Sequence, residues 1–462
     1  MTASASREQT DPEASPSEAQ NKALTVRGAT VLGIGSMIGA GIFALLGEAG
    51  AVAGAAVWIS FLIGGVVAGL LGYVCAKLGM RFPSSGGLIT YLIKGFGNGR
   101  LVGVASWLGY VTAIVVVGAM VAVSFGDYAA RLVIGSSPGS TWTKVFASLV
   151  VVASAALVVV GVRWVVRAQS AIVIGLLVVF AVFVVATITN IDSHLLAPSG
   201  YPSTRSIVSS VALTFFAYLG FAVISFAGGD IVHPERNLPR AMYLALGSTM
   251  LLYLAIAVSV FGTLTVEQVI HYGPTAIAEA ARPTLGDAGF VAMGIAALLA
   301  TSSSVLATFY ASVGLTGTLA EVGQFPSAFG GSSRLGRHGG LLITTALTLL
   351  FVNVFDIGAL ASIGSAVSLA VFVLVGVAAL RLRHEIAAQA WVIIAAIAAS
   401  AVALGFFVVD TYHHDPRAFW AMIAILVLGV GIDIVWKRVR GSISLDPDSP
   451  TGTLPAKTQS IR

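Results

Sequence analysis

The sequence predicts an all-α integral membrane protein of twelve transmembrane helices, and three observations carry that prediction. Hydrophobic residues fill 57% of the 462 positions and charged residues only 10%, where a soluble domain carries about 25% charged residues. Mean hydropathy is +0.94. Uncharged apolar runs of about 20 residues, enough to cross a hydrocarbon core as helix, recur along the whole chain and leave no stretch for a soluble domain. Glycines gather inside particular runs: VLGIGSMIGAGIF, Val31 to Phe43, holds Gly33, Gly35, Gly39 and Gly41.

Taken in order, the runs fall at about 24–46, 53–78, 101–125, 143–161, 168–190, 206–230, 241–264, 288–320, 340–355, 358–380, 390–410 and 417–437. Residues 1–22 and 441–462 are polar and read as disordered tails flanking a membrane domain over 23–440. The first tail lacks the apolar core and small-residue cleavage pattern of a signal peptide. An even number of spans puts both termini on one side. Loops on that side hold seventeen Lys and Arg, from Lys22 to Arg440, against five opposite: Arg131, Lys144, Arg205, Arg282 and Arg417. This bias places both termini in the cytoplasm of a multi-pass cell-membrane protein. The net charge of +5 is then a matter of topology and gives no reason to expect a nucleic-acid partner. Cys75, the single cysteine, lies in an apolar run and reads as a packed thiol.

Ionisable groups inside a bilayer are costly and tend to be functional, so their positions limit what the protein does. All seven histidines fall in loops or at run ends, and Glu48, Asp127, Asp230, Asp356 and Asp433 sit at or close to ends. A haem or metal enzyme needs ligands at depth, and the runs offer none. No enzyme chemistry and no cofactor are therefore expected. Polar work falls to backbone, hydroxyls and the ends of broken helices, as in a secondary carrier.

The glycines of the first run allow two readings. Gly35 and Gly39 form GxxxG, a close-approach motif between membrane helices. Alternatively the helix unwinds near Met37 to Gly41, since each interior glycine weakens a helix by about 0.8–1 kcal/mol relative to alanine. Unwound backbone at membrane depth is tolerated only where it lines a cavity. There it offers N–H groups to a carboxylate and carbonyls to an ammonium, and an amino acid carries both. The sixth run, TFFAYLGFAVISFAGGD from Thr214 to Asp230, supplies a matching interruption at Gly220. Its alternative reading is ordinary core packing.

GIGSMIGAGIF, followed by RFPSSGGLITYL (Arg81 to Leu92) after the second run and PERNLPRA (Pro234 to Ala241) after the sixth, closely resembles the amino acid–polyamine–organocation superfamily of permeases. The resemblance covers about residues 24 to 437. It implies the leucine-transporter-type fold: inverted repeats over about 24–190 and 206–380, two further helices over about 390–437, and alternating access with spans one and six unwound. It also implies site residues. A substrate carboxylate falls on the amides of Ala40, Gly41 and Ile42, and an ammonium on the carbonyls of Met37, Phe216 and Leu219. Phe216 resembles the lid, with Gly39 and Gly220 at the breaks; Ile38 belongs to the same turn. Arg81, Pro83, Ser84, Gly86 and Gly87 resemble the start of a re-entrant turn and short helix, and PERNLPRA a basic turn before span seven.

Departures narrow the expectation. Ala222 stands where many members carry an acid, and AQSAIVIGLLVVF, Ala168 to Phe180, lacks the span-five lysine of proton-coupled members. Sodium-coupled relatives use span-eight hydroxyls. Ser303 and Ser304 reach the depth of that site, near the carbonyls of Gly35 and Ile38, so H+ and Na+ both stand as candidate coupling ions. Gly314 replaces a frequent arginine, and Glu321 stands near a usual basic position. A cationic substrate wants an acid at depth and an acidic one a base. The expectation is thus a small or aliphatic neutral amino acid, with Tyr110 and Thr308 as candidate pocket residues. A polyamine or organic-amine permease, or an exchanger, is the alternative within the superfamily. A channel or a transport-silent membrane subunit lies outside it. Nothing in the sequence sets an oligomeric state.

Overall fold

A computed structural model describes residues 24–135, 139–160, 162–330, 338–414 and 416–440. The expected terminal tails, with Lys22, Arg334 and Arg337, lie outside the described residues. Those described fold into helices α1 (Val26–Ala40), α2 (Ile42–Ala53), α3 (Val57–Arg81), α4 (Leu88–Phe96), α5 (Arg100–Tyr110), α6 (Val117–Val133), α7 (Ser140–Val160), α8 (Val162–Ile188), α9 (Thr204–Ala217) and α10 (Phe221–Phe226). They continue with α11 (Pro234–Phe261), α12 (Val266–Tyr272), α13 (Ala276–Glu321), α14 (Gly339–Val354), α15 (Ile357–Arg381), α16 (Ala390–His414) and α17 (Pro416–Arg440). Among the described residues no strand forms; one isolated bridge joins Leu24 to Ile231.

Nine helical stretches among the described residues are long and apolar enough to cross a membrane, and Val26–Ala40, Gly339–Val354 and Met422–Trp436 are shorter apolar helices. The expected spans are therefore not of one kind. The first is split at Gly41, and its second half runs to Ala53, beyond the expected end near 46. Gly54, at φ +54°, makes the turn into α3, a conformation that glycine adopts without steric cost. The eighth begins where expected, because non-helical Gly286, at φ 65° and ψ −162°, divides α13 into a leading segment from Ala276 and the span that follows to Glu321.

One loop expectation fails. PERNLPRA is not a turn: α11 starts at Pro234, and Pro239 lies inside its second turn. Proline suits the first helical position, where the N–H has no partner anyway. The carbonyl that Pro239 cannot serve belongs to exposed Glu235, where solvent can reach it. The Arg81–Gly87 segment does lead into a short helix, α4, with Ser84 Oγ accepting from the Gly86 amide at 3.0 Å.

Burial separates core from rim. Over an apolar 18-residue stretch of each, 89% of residues are buried in Thr204–Phe226 and 83% in Arg100–Val133, against 28% in Ser140–Val160 and in Ser170–Ile188. α5, α6, α9 and α10 thus form the interior of the bundle, while α7 and α8 present their apolar surface outward. The broken helices α1–α2 and α9–α10 meet in this interior, and α13 packs beside α1.

Candidate functional site

The interruption in the first span is narrower than the glycine pattern suggests. Only Gly41 leaves the helix, at φ −92°, ψ −83°. Its amide still donates to the Met37 carbonyl at 2.7 Å, and its own carbonyl accepts from Leu45 at 2.8 Å. The sixth span opens over Tyr218 to Gly220, where the amides of Tyr218, Leu219 and Phe221 turn back to Phe215, Phe216 and Tyr218. Its bonds shift from four residues back to three, and the Ala217 carbonyl is left to a side chain.

That side chain is Tyr253 of α11, which sequence reasoning missed. Its hydroxyl donates to the Met37 carbonyl, lies 3.2 Å from the Ala217 carbonyl, and faces the Ile42 amide. One fully buried phenol therefore ties both breaks together. A Cβ on Gly41 would strike this hydroxyl and come within 2.6 Å of Ala217 O and 2.7 Å of Met37 O. A Cβ on Gly220 would strike the Met37 backbone. The two glycines are the means by which the breaks touch. In the sequence Tyr253 is one aromatic residue in an apolar run, and nothing marks it.

The expected site residues divide into those the structure gathers and those it does not. Met37, Gly41, Ile42 and Gly220 come together around Tyr253. Ile38 and Ala40 are buried on the same turns. Phe216 is buried with its ring against Gly364 of α15, where a Cβ would not fit. Its carbonyl accepts from Leu219 at 3.0 Å, and the Leu219 carbonyl from Ala222 at 2.9 Å. Tyr110 turns away: its hydroxyl bonds Thr344 of α14 at 2.9 Å, and its ring meets Phe325 and Phe329 edge-on. Thr308 bonds the Ser304 carbonyl of its own helix at 2.9 Å. Gly39 packs on α13 so closely that a Cβ would overlap the Ala300 carbonyl. Beside it Ser304 donates to the Ser36 carbonyl at 2.8 Å, not to Gly35 or Ile38, and Ser303 is buried next to it. Gly314 also has a structural reason, since a Cβ there would sit 3.0 Å from Ser85 in the loop before α4.

Against the breaks lies a small enclosed cavity lined by Gly109, Thr112 and Ala113, by Leu219 and Phe226, by Ser368, Val371 and Phe372 of α15, and by Leu88 and Ile89. It leaves about 10 Å³ to the centre of a water-sized sphere, room for one water. Thr112 enters it from a turn of π-helix, Val111–Val116, between α5 and α6. Such turns recur at functional sites.

Contacts fasten both ends of the bundle. On the side of the N-terminus, the Leu24 amide donates to the Asp230 carbonyl at 3.0 Å and Val232 returns a bond to Leu24 at 2.9 Å. Tyr310 donates to Asp230 Oδ2 at 2.5 Å. On the other side, Tyr128 donates to the Pro274 carbonyl, and the buried Glu279 carboxylate takes Arg131 and Arg282, each at 2.8 Å.

Two interrupted helices in contact at mid-bundle, preceded and followed by the loop motifs, agree with the comparison to known families: the amino acid permease model matches residues 24–435. The chain belongs to the amino acid permease family. The permease is a transporter and not an enzyme. It is 32% identical over 419 residues to the inner membrane transport protein YbaT of Escherichia coli (strain K12), covering 90% of this chain and 97% of that relative. It is 29% identical over 274 residues to the serine/threonine exchanger SteT of Bacillus subtilis (strain 168), covering 58% and 61%. A mutant of the Eremococcus coleocola manganese transporter shares the fold, with a TM-score of 0.58 over 90% of this chain and 92% of that one at 13% identity.

Proposed function

We propose that the permease carries neutral amino acids with small or aliphatic side chains across the cell membrane by alternating access, with both termini in the cytoplasm. The observation that carries this reading is the contact between the breaks at Gly41 and Gly220, bridged by Tyr253. It concentrates the Met37 and Ala217 carbonyls beside the amide of Ile42, acceptors for an ammonium next to a donor for a carboxylate. Admitting a substrate separates the breaks, and the ammonium takes the place of the Tyr253 hydroxyl.

No Asp, Glu, Lys or Arg lines the enclosed cavity, and Ala222 is buried without an acid in its place. A charged substrate side chain would lie there unpaired, at a cost of several kcal/mol by rough estimate. The serine/threonine substrates in the name of SteT are of the neutral class. The contacts at the two ends support alternating access, because each closes one side and each is built of bonds that can be exchanged for water.

The test is uptake of labelled amino acids into proteoliposomes with pH and sodium gradients imposed separately. Saturable uptake of neutral amino acids is expected. Preference for a diamine would overturn the substrate class, and a current that fails to saturate would indicate a channel.

A further inference from the structure

Many buried hydroxyls in this bundle bond back along their own helix. Ser106 donates to Val102, Thr301 to Ala297, Thr316 to Ser312, Thr344 to Gly340 and Ser365 to Ala361, at 2.7–2.8 Å. That bond satisfies a hydroxyl at no cost in tertiary structure. Thr112 is 1% exposed and its Oγ1, like the hydroxyls of Ser36, Ser225, Thr249 and Thr348, has no hydrogen-bond partner; of these five residues Thr112 alone lines the cavity. It lies in the π-turn, where the Val111 amide is shared between the Leu108 and Trp107 carbonyls. A chain that could satisfy this hydroxyl by an ordinary helical turn holds it unsatisfied against a cavity.

The cavity sets what the partner can be. Ser368 lines the same cavity as Thr112, Leu219 of the second break forms part of the wall, and the remaining lining is apolar. The free space suits an oxygen atom with its hydrogen, the size of one water. Cationic and anionic groups have no counter-charge there.

Resting on the transport function proposed above, we infer that Thr112 and Ser368 form a side-chain pocket that selects hydroxyl-bearing neutral amino acids over aliphatic ones of the same shape. The substrate hydroxyl takes the place of a water. Its donor and acceptor capacity satisfies Thr112 Oγ1.

The experiment compares L-threonine with L-valine, which replaces the hydroxyl by a methyl, in proteoliposome uptake. The intact permease is expected to favour threonine in kcat/KM by about fivefold, the value of one net neutral hydrogen bond. Thr112→Val is expected to bring the ratio to about one, whatever the change in overall rate; Thr112→Ser, which keeps the hydroxyl, retains the preference. Ser368→Ala reduces it in part. Transport of both amino acids without preference by the intact permease would overturn the inference and leave the proposed function standing. So would an unchanged ratio in Thr112→Val, or an equal fall in both substrates with Thr112→Ser no better. Absence of uptake of any amino acid would overturn both.

Discussion

The Tyr253 hydroxyl donates to the Met37 carbonyl and so occupies, from a neighbouring helix, the point where the first membrane helix comes apart. The same oxygen reaches the Ala217 carbonyl at 3.2 Å. If the substrate ammonium uses these carbonyls, tyrosine and substrate compete for them. Tyr253→Phe keeps the ring against Phe61 and Tyr218 and removes only the competitor. A net hydrogen bond of about 1 kcal/mol then appears as a KM lower by about fivefold, with a small loss of thermal stability. Concentration-dependent uptake by the purified variant measures this. Equal KM and equal maximal rate would separate Tyr253 from the substrate path.

Gly41→Ala tests the break itself. The added methyl would strike Tyr253 and crowd two main-chain carbonyls at 2.6 and 2.7 Å, and backbone cannot step aside as a flexible side chain can. Overpacking of this kind costs roughly 1–3 kcal/mol. Uptake is expected to fall more than tenfold while the protein still inserts and purifies. Adding Tyr253→Phe removes one of the three clashes and should restore only a fraction. Full activity of Gly41→Ala would remove the break from the mechanism.

Much of this arrangement was legible in the sequence. Apolar period and length placed the helices, because a bilayer demands that each crossing segment satisfy its own backbone. The clustered glycines pointed to the first break, though only Gly41 makes it while Gly33 and Gly39 serve close packing. Side-chain direction was not legible. Tyr110 and Thr308 were assigned to a pocket by depth alone, but a residue's depth leaves its helix phase open, and both hydroxyls point to partners elsewhere. Tyr253, Thr112 and Ser368 escaped for the complementary reason. Each is a single polar atom in an apolar run, and its meaning comes from a helix distant in sequence.

The Glu279 network gives a stability prediction with an internal control. Glu279 is 3% exposed, Arg131 20% and Arg282 43%. Glu279→Ala takes the buried carboxylate from both arginines and should cost about 3 kcal/mol, seen as a lower melting temperature and faster trypsin cleavage after Arg282. Arg282→Ala removes a half-exposed partner and should cost less than about 1 kcal/mol. Equal losses in the two variants would mean that the network is a surface feature.

The last prediction concerns the coupling ion. The resemblance to sodium-coupled carriers expects a cation at Ser303 and Ser304, yet Ser304 already donates to the Ser36 carbonyl at 2.8 Å, and Gly39 is pressed against the Ala300 carbonyl. An ion held there would need these oxygens turned toward it, so the bond to Ser36 would have to break and α13 to withdraw from α1. A closed contact between helices costs nothing to keep when no ion is present, so uptake should persist in sodium-free buffer. Ser304→Ala should then change the rate by no more than about fivefold, since one neutral hydrogen bond is lost, and by the same factor with or without sodium. Uptake that requires sodium, with a sodium affinity weakened by Ser304→Ala, would instead place the coupling ion between α1 and α13.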